Sequence, residues 1–244
     1  MNIDVLAIGA HPDDIELACC GTIAKLVKQG KQVGILDLTQ GELGTRGTKH
    51  IRNNEAKTAA KILGVAFREN LKLTDGSFEV NQKNILKVIQ VIRKYRPKIL
   101  LIPPFHERHP DHEHAHRLAK EEWFYSGLKN ISTKENGKLQ EAFRPDTYFQ
   151  FMMRYEFQPS FIVDISDVYE ILVKAIEAFA SQLHSVTYKS NEPETLLSKA
   201  SFKDLLEIRA KYFGSQIGVK YGEPFYYHQP LGVTDIFSFK LFFG

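Results

Sequence analysis

The residues able to do chemistry fall in two clusters. The first is Ala10-His11-Pro12-Asp13-Asp14-Ile15-Glu16, directly after the apolar run Val5-Leu6-Ala7-Ile8-Gly9. Imidazole beside carboxylate suits a hard or borderline divalent ion, and a carboxylate left free of that ion can move a proton. The second, His106-Glu107-Arg108-His109-Pro110-Asp111-His112-Glu113-His114-Ala115-His116, holds five of the nine histidines and follows the apolar run Ile99-Leu100-Leu101-Ile102. A catalytic zinc takes three protein ligands and keeps a position open for water. By residue type these are His11, Asp14 and one of His109 or His112, with the other His and Asp13 left to move protons. Spacing does not choose, because His109, His112 and His116 can share a helix face.

Two clusters so far apart in sequence serve one ion only if the fold joins them. The apolar pattern predicts strands at 3–10, 31–38, 67–73 and 99–102, and helices at 15–29, 50–63 and 82–95. A loop rich in Gly and Thr spans 39–48, and a turn falls at Asp75-Gly76. Strand and helix in alternation predict an α/β, Rossmann-like fold: a mostly parallel sheet, helices on both faces, and an active site at the carboxyl ends of the strands. In such sheets the first strand and the strand after the third helix are neighbours across the point where the order reverses. The loops after Gly9 and Ile102 should therefore face each other. Beyond Trp123 we expect a polar excursion at 126–140, strands at 147–154 and 160–165, helices at 168–183 and 196–213, and a closing loop with short strands at 218–237. Nothing in the pattern divides residues 1–244 into a second domain.

With 244 residues and a formal charge of +3, the chain is long enough for one good core and shows no basic stripe for nucleic acid. No apolar run is long enough for a membrane span and no leader is visible, so a cytoplasmic location is expected. Cys19 and Cys20, the only cysteines, are adjacent, where a bridge would be badly strained; they read as reduced, buried thiols.

Residues 10–16 followed by Gly21-Thr22, together with His109-Pro110-Asp111-His112, resemble the PIG-L (LmbE-like) family of zinc-dependent N-acetylglucosamine deacetylases. The stretch 37–48, then Arg52 and Glu55, Arg108 before the His pair, and Pro230-Leu231-Gly232-Val233-Thr234-Asp235 are similar to its bacillithiol-biosynthesis branch, whose substrate is N-acetylglucosaminyl malate. The resemblance implies His11, Asp14 and His112 as metal ligands, Asp13 as general base, and His109 as the group that stabilises the oxyanion or protonates the leaving amine. It places Arg52 and Asp75 on the sugar, and it implies a closed homo-oligomer. Two departures stand out: Ala18-Cys19-Cys20 replaces Gly-containing positions, and Glu107 stands where mycothiol-pathway relatives carry a Tyr.

Asp111 is expected to orient His109 and raise its pKa, or to cap the helix beginning near His112. Arg46, Arg52 and Arg108 rim the inferred pocket and would suit a substrate carboxylate, with Glu42 on a sugar hydroxyl. Glu16 and Glu55 read as structural, Tyr221 and Glu223 as minor substrate contacts, and His184 and His228 as uninvolved. The expected ligands are zinc, with ferrous iron equally suited to such donors, and a small N-acetylglucosaminide. Two readings compete with an amide hydrolase. One is a sugar-binding domain of the same fold without turnover. The other is a nucleotide-binding α/β protein, which lacks the G-x-G-x-x-G fingerprint after the first strand.

Overall fold

The structure is a computed structural model that describes residues 2–185, 188 and 191–238. In chain order its elements are β1 (Val5–Gly9), α1 (Asp14–Ala18), α2 (Cys20–Lys28), β2 (Val33–Thr39), α3 (Lys49–Leu63), β3 (Phe67–Leu73), α4 (Gln82–Tyr95), β4 (Ile99–Ile102), α5 (Pro110–Tyr125), β5 (Lys134–Glu135), β6 (Lys138–Leu139), β7 (Thr147–Phe151), β8 (Phe161–Asp164), α6 (Tyr169–Glu177), α7 (Phe202–Gln216) and β9 (Gly222–Tyr226). Seven strands form one sheet in the order β3-β2-β1-β4-β7-β9-β8. The first five run parallel, and β9 is antiparallel to both of its neighbours. The mixed α/β sheet expected from the pattern is present, with β1 beside β4.

β1 and β2 are buried throughout because helices cover both faces, so their sequences are apolar runs rather than alternations. Successive side chains still point to opposite faces. Val5 and Ala7 join the core under α1, α2, α6 and α7, while Leu6 and Ile8 join the one under α4 and α5. α4 starts where the Asn81 side chain accepts from the Asn84 N–H and ends at Arg96 in the left-handed region, within a residue of the sequence limits.

Three expectations are corrected. The helix predicted at 15–29 is two helices broken at Cys19. The restart at Cys20 presents free amides, and the buried Glu223 carboxylate accepts from Gly21 N (2.8 Å) and Thr22 N (2.6 Å). Gly21 permits that approach, since a Cβ there would lie 2.8 Å from Glu223 Oε1. The helix predicted at 196–213 begins only at Phe202, because Thr195 and Ser198 bond each other's backbone amides and compete with helical bonding. The helix predicted at 168–183 stops at Glu177, and Phe179, Ser181 and Gln182 instead pack inward in a turn. The tail, expected as a closing loop with short strands, supplies β9, which lies between β7 and β8 despite carrying Pro224. Among the described residues no helix is long and apolar enough to cross a membrane.

Candidate metal-dependent active site

β1 and β4 end on the same edge, and their loops deliver both clusters to one place. His11 and His112 have ring centroids 5.4 Å apart, His11 and His109 4.9 Å, and His109 stacks on His112 at 4.9 Å. Asp14 lies between them, its Oδ2 3.6 Å from His11 Nδ1 and its Oδ1 3.2 Å from His112 Nε2. Donors of a tetrahedral zinc at about 2.0–2.2 Å are separated by roughly 3.3 Å, so this His, Asp, His set fits such an ion as it stands. A second grouping, His11, His109 and Asp111, also brings donor atoms within 4.8 Å of one another. There, however, Asp111 faces His11 Nε2, which Asp75 already bonds, and its Oδ2 accepts from Gly76 N (2.8 Å), whereas Asp14, with Oδ2 on His11 N (2.9 Å), keeps Oδ1 toward His112; His11, Asp14 and His112 are the better fit.

Three carboxylates surround His11. Its Nε2 is 2.9 Å from Asp75 Oδ1 and 3.3 Å from Asp111 Oδ2, leaving Nδ1 toward Asp14. Burial works against a charge on this ring, but Asp111, Asp14 and Asp75 outweigh it and hold its proton well above the ordinary imidazole range. Burial likewise opposes ionisation of Asp14, yet His112 and His11 hold its carboxyl well below the usual range. A pocket this negative calls for a cation. Carboxylates on the far nitrogen of a metal-bound imidazole fix its tautomer and orientation.

Asp13 sits beside the ligand set without joining it. Its φ of 118° is left-handed and therefore strained for a residue bearing a Cβ. Arg52 holds it there, donating from Nη2 to Asp13 Oδ1 (2.9 Å) and Pro12 O (2.6 Å) and from Nη1 to Gly41 O (3.1 Å). Gly41, at φ 65°, lets Arg52 pass, since a Cβ there would overlap its guanidinium. Burial pushes the Asp13 carboxyl up to about 6, against the pull of Arg52. A carboxyl poised there can take a proton near neutrality.

The expected role of Asp111 on His109 is corrected. Its carboxylate faces His11 and Gly76, and the contact to His109 runs the other way: the Asp111 N–H donates to His109 Nδ1 (3.2 Å), which caps α5. His109 is accordingly shifted down rather than up, by burial and by the neighbouring imidazoles of His11 and His112.

The rim is more structural than its residue types suggested. Arg46 donates to Ser181 O (2.9 Å) and to Glu192 O (3.3 Å), tying its loop to the following turn. Glu42 accepts from Asp75 N (3.1 Å) and Gln40 N (3.2 Å). Asp75 also accepts from Leu43 N (2.8 Å), so it links that loop to His11. Arg108 is exposed. Glu55 accepts from both the amide and the hydroxyl of Ser181 (2.7 Å each), and Glu16 pairs with Arg68 (2.6 Å), as structural carboxylates should. Tyr221 and Glu223, named as substrate contacts, are buried elsewhere, Tyr221 donating to Glu207. Cys19 and Cys20 are free and fully buried, and burial pushes both thiols up. Sequence reasoning missed Arg68, which joins Glu16 to Asp37 under the site; a lone Arg in a predicted strand carries no signal of that pairing.

A mostly parallel sheet with a cluster of His and Asp at its carboxyl edge is an α/β architecture able to hold a metal ion there. The chain belongs to the PIG-L family: the model described as "GlcNAc-PI de-N-acetylase" matches residues 6–123. The diacetylchitobiose deacetylase of Thermococcus kodakarensis is 33% identical over 229 residues, covering 90% of this chain and 80% of that protein. A conserved protein of Thermus thermophilus superposes with a TM-score of 0.84 at 33% identity, covering 96% of this chain and 98% of its own. The 4-oxalmesaconate hydratase of Pseudomonas putida is 26% identical over 203 residues, 75% of each chain, so the reaction must be argued from the site.

Proposed function

We propose that this protein is a metal-dependent deacetylase that removes acetate from an N-acetylglucosaminide. One observation carries the reading: Asp13, free of the ligand set and clamped by Arg52, adjoins His11, Asp14 and His112, with His109 stacked on the other side. An acetamide is a poor electrophile and needs an activated water, a polarised carbonyl and a protonated leaving nitrogen. The ion, when bound, lowers the pKa of its water to roughly 7 and polarises the carbonyl. His11, Asp14 and His112 would hold it, with zinc as the first choice and ferrous iron chemically compatible. Asp13 takes the proton from water. His109, whose Nδ1 accepts from the Asp111 N–H in capping α5, presents Nε2–H to the oxyanion, and the proton taken by Asp13 passes to the departing amine. Asp75 and Asp111 orient His11.

The finer assignment, N-acetylglucosaminyl malate in bacillithiol biosynthesis, rests on the branch-like stretches at 37–48 and 230–235 and on Arg108. Arg46 and Arg52 are engaged by the fold and lend it less support than their type suggested. A homo-oligomer belongs to the same proposal, and light scattering should give a multiple of 27.9 kDa. The deciding experiment measures acetate released from N-acetylglucosaminyl malate, N,N'-diacetylchitobiose and N-acetylglucosamine by the zinc-loaded protein. Release from any of them supports a deacetylase, and preference for the malate conjugate supports the branch. No release from any of the three overturns the proposal and points to the hydration chemistry named for the Pseudomonas relative.

A further inference from the structure

His109 closes the loop 103–109 that leaves β4, and its ring is held lightly. Among the described residues its one hydrogen bond is Nδ1 accepting from Asp111 N (3.2 Å); otherwise it stacks on His112 and meets His11 edge-on. The direction of Nε2 is therefore set by the backbone that carries the ring. That backbone hangs on a buried carboxylate two residues back. Glu107 Oε1 accepts from Arg108 N (2.6 Å), next to His109, and its Oε2 accepts from Arg154 N (2.6 Å) and Tyr155 N (3.0 Å) in the loop that leaves β7, the parallel neighbour of β4. Arg209 of α7 donates to the carbonyls of Met152 and Met153, so this second loop is an anchored support. Gln150 of β7 and Glu113 of α5 accept from Phe105 N and Glu107 N (3.0 Å each), which completes the hold on the segment before His109.

Glu107 bridges amides from two different loops, and a carboxylate accepts on both of its oxygens. In Gln one oxygen becomes an NH2 that opposes an N–H whichever way the side chain is turned. Among the described residues Glu107 makes no hydrogen bond or ion pair with His11, Asp13, Asp14 or His112, so its path to the reaction runs through the backbone. We infer that Glu107 is a positioning residue for the deacetylation: by tying the 103–109 loop to the 152–157 loop it holds His109 Nε2 where the oxyanion forms. The inference rests on the role given to His109 in the proposed function. A donor aimed at a developing charge tolerates little displacement, a shift of about 1 Å costing on the order of 100-fold in rate.

The test is a double-mutant cycle of Glu107→Gln with His109→Ala, read on whichever of N-acetylglucosaminyl malate, N,N'-diacetylchitobiose and N-acetylglucosamine the zinc-loaded wild type hydrolyses. Glu107→Gln alone should lower kcat roughly tenfold or more, with KM and bound zinc little changed. In the His109→Ala background the same change should lower kcat less than about twofold, because the group it positions is gone. An unchanged kcat in Glu107→Gln, a loss confined to KM, or an equal loss in both backgrounds overturns the inference. If Glu107→Gln does not fold, Glu107→Asp, which keeps two acceptor oxygens on a shorter stem, takes its place in the cycle and is read the same way. Should wild type release acetate from none of the three, the deacetylase reading falls alone. In that case, and where His109→Ala is too slow to measure, NMR of the histidine-labelled, zinc-loaded protein decides. The His109 ring resonances should move in the Glu107 variant while those of His228 stay, and unmoved His109 resonances overturn the inference.

Discussion

Asp13 and Asp14 are adjacent residues of one type with opposite environments. Asp14 is held ionised by two imidazoles, whereas burial holds Asp13 near 6 with one guanidinium opposing it. That separation fits the roles proposed for them, Asp14 as ligand and Asp13 as base. Asp13→Asn should retain bound metal, checked by elemental analysis, while kcat for acetate release falls on the order of 100-fold or more. A base of this kind works only when ionised, so activity falls as pH drops through about 6. Arg52 lowers the Asp13 pKa, so Arg52→Ala should move the acidic limb of the pH–rate profile to higher pH, and Arg52→Lys should largely restore it.

At the scale of elements, buried charge under the site holds β2, β3 and α1 together. Arg68 of β3 pairs with Glu16 of α1 and Asp37 of β2 at 2.6 and 2.7 Å. Arg68→Leu would strand two buried carboxylates and should destabilise by about 3–5 kcal/mol in urea unfolding. Burial already raises the Glu16 pKa, so the loss should be greater at alkaline than at mildly acid pH, where a proton can neutralise it. α5 holds a different case: Glu122 is fully buried, neither oxygen has a hydrogen-bond partner, and burial pushes its carboxyl up to about 9. Its unfolded value is about 4.3. The wild type therefore loses stability as pH rises between those two values, and the loss is complete above the higher one. Glu122→Gln should raise Tm by an amount that grows from about pH 5 to about pH 9.

Over the whole molecule, the proposed ion joins loops from two strands nearly a hundred residues apart. Stripping metal with a chelator should lower Tm, and zinc should restore it by an amount that follows its concentration, about 2.7 kcal/mol at a hundredfold excess over Kd. Asp14→Asn should lose most of that response. The parallel arrangement of β1 and β4 gathers onto one edge the residues proposed to hold the ion, which is where open α/β sheets bind ligands.

The sequence by itself determined the parallel half of the sheet, the meeting of the two loops and the set His11, Asp13, Asp14, His109 and His112. Those features follow from apolar runs of strand length, helices with clear caps, and residue types that only a polar pocket explains. Tertiary structure alone decided what Asp111 and Asp75 do, that Glu107 binds two loops, that Arg46 is spent on a turn, and that a tail strand bearing Pro224 lies inside the sheet. A carboxylate's partner is set by whichever donor the packing leaves within 3 Å, and strand order by long-range pairing. Neither leaves a periodic trace in the chain.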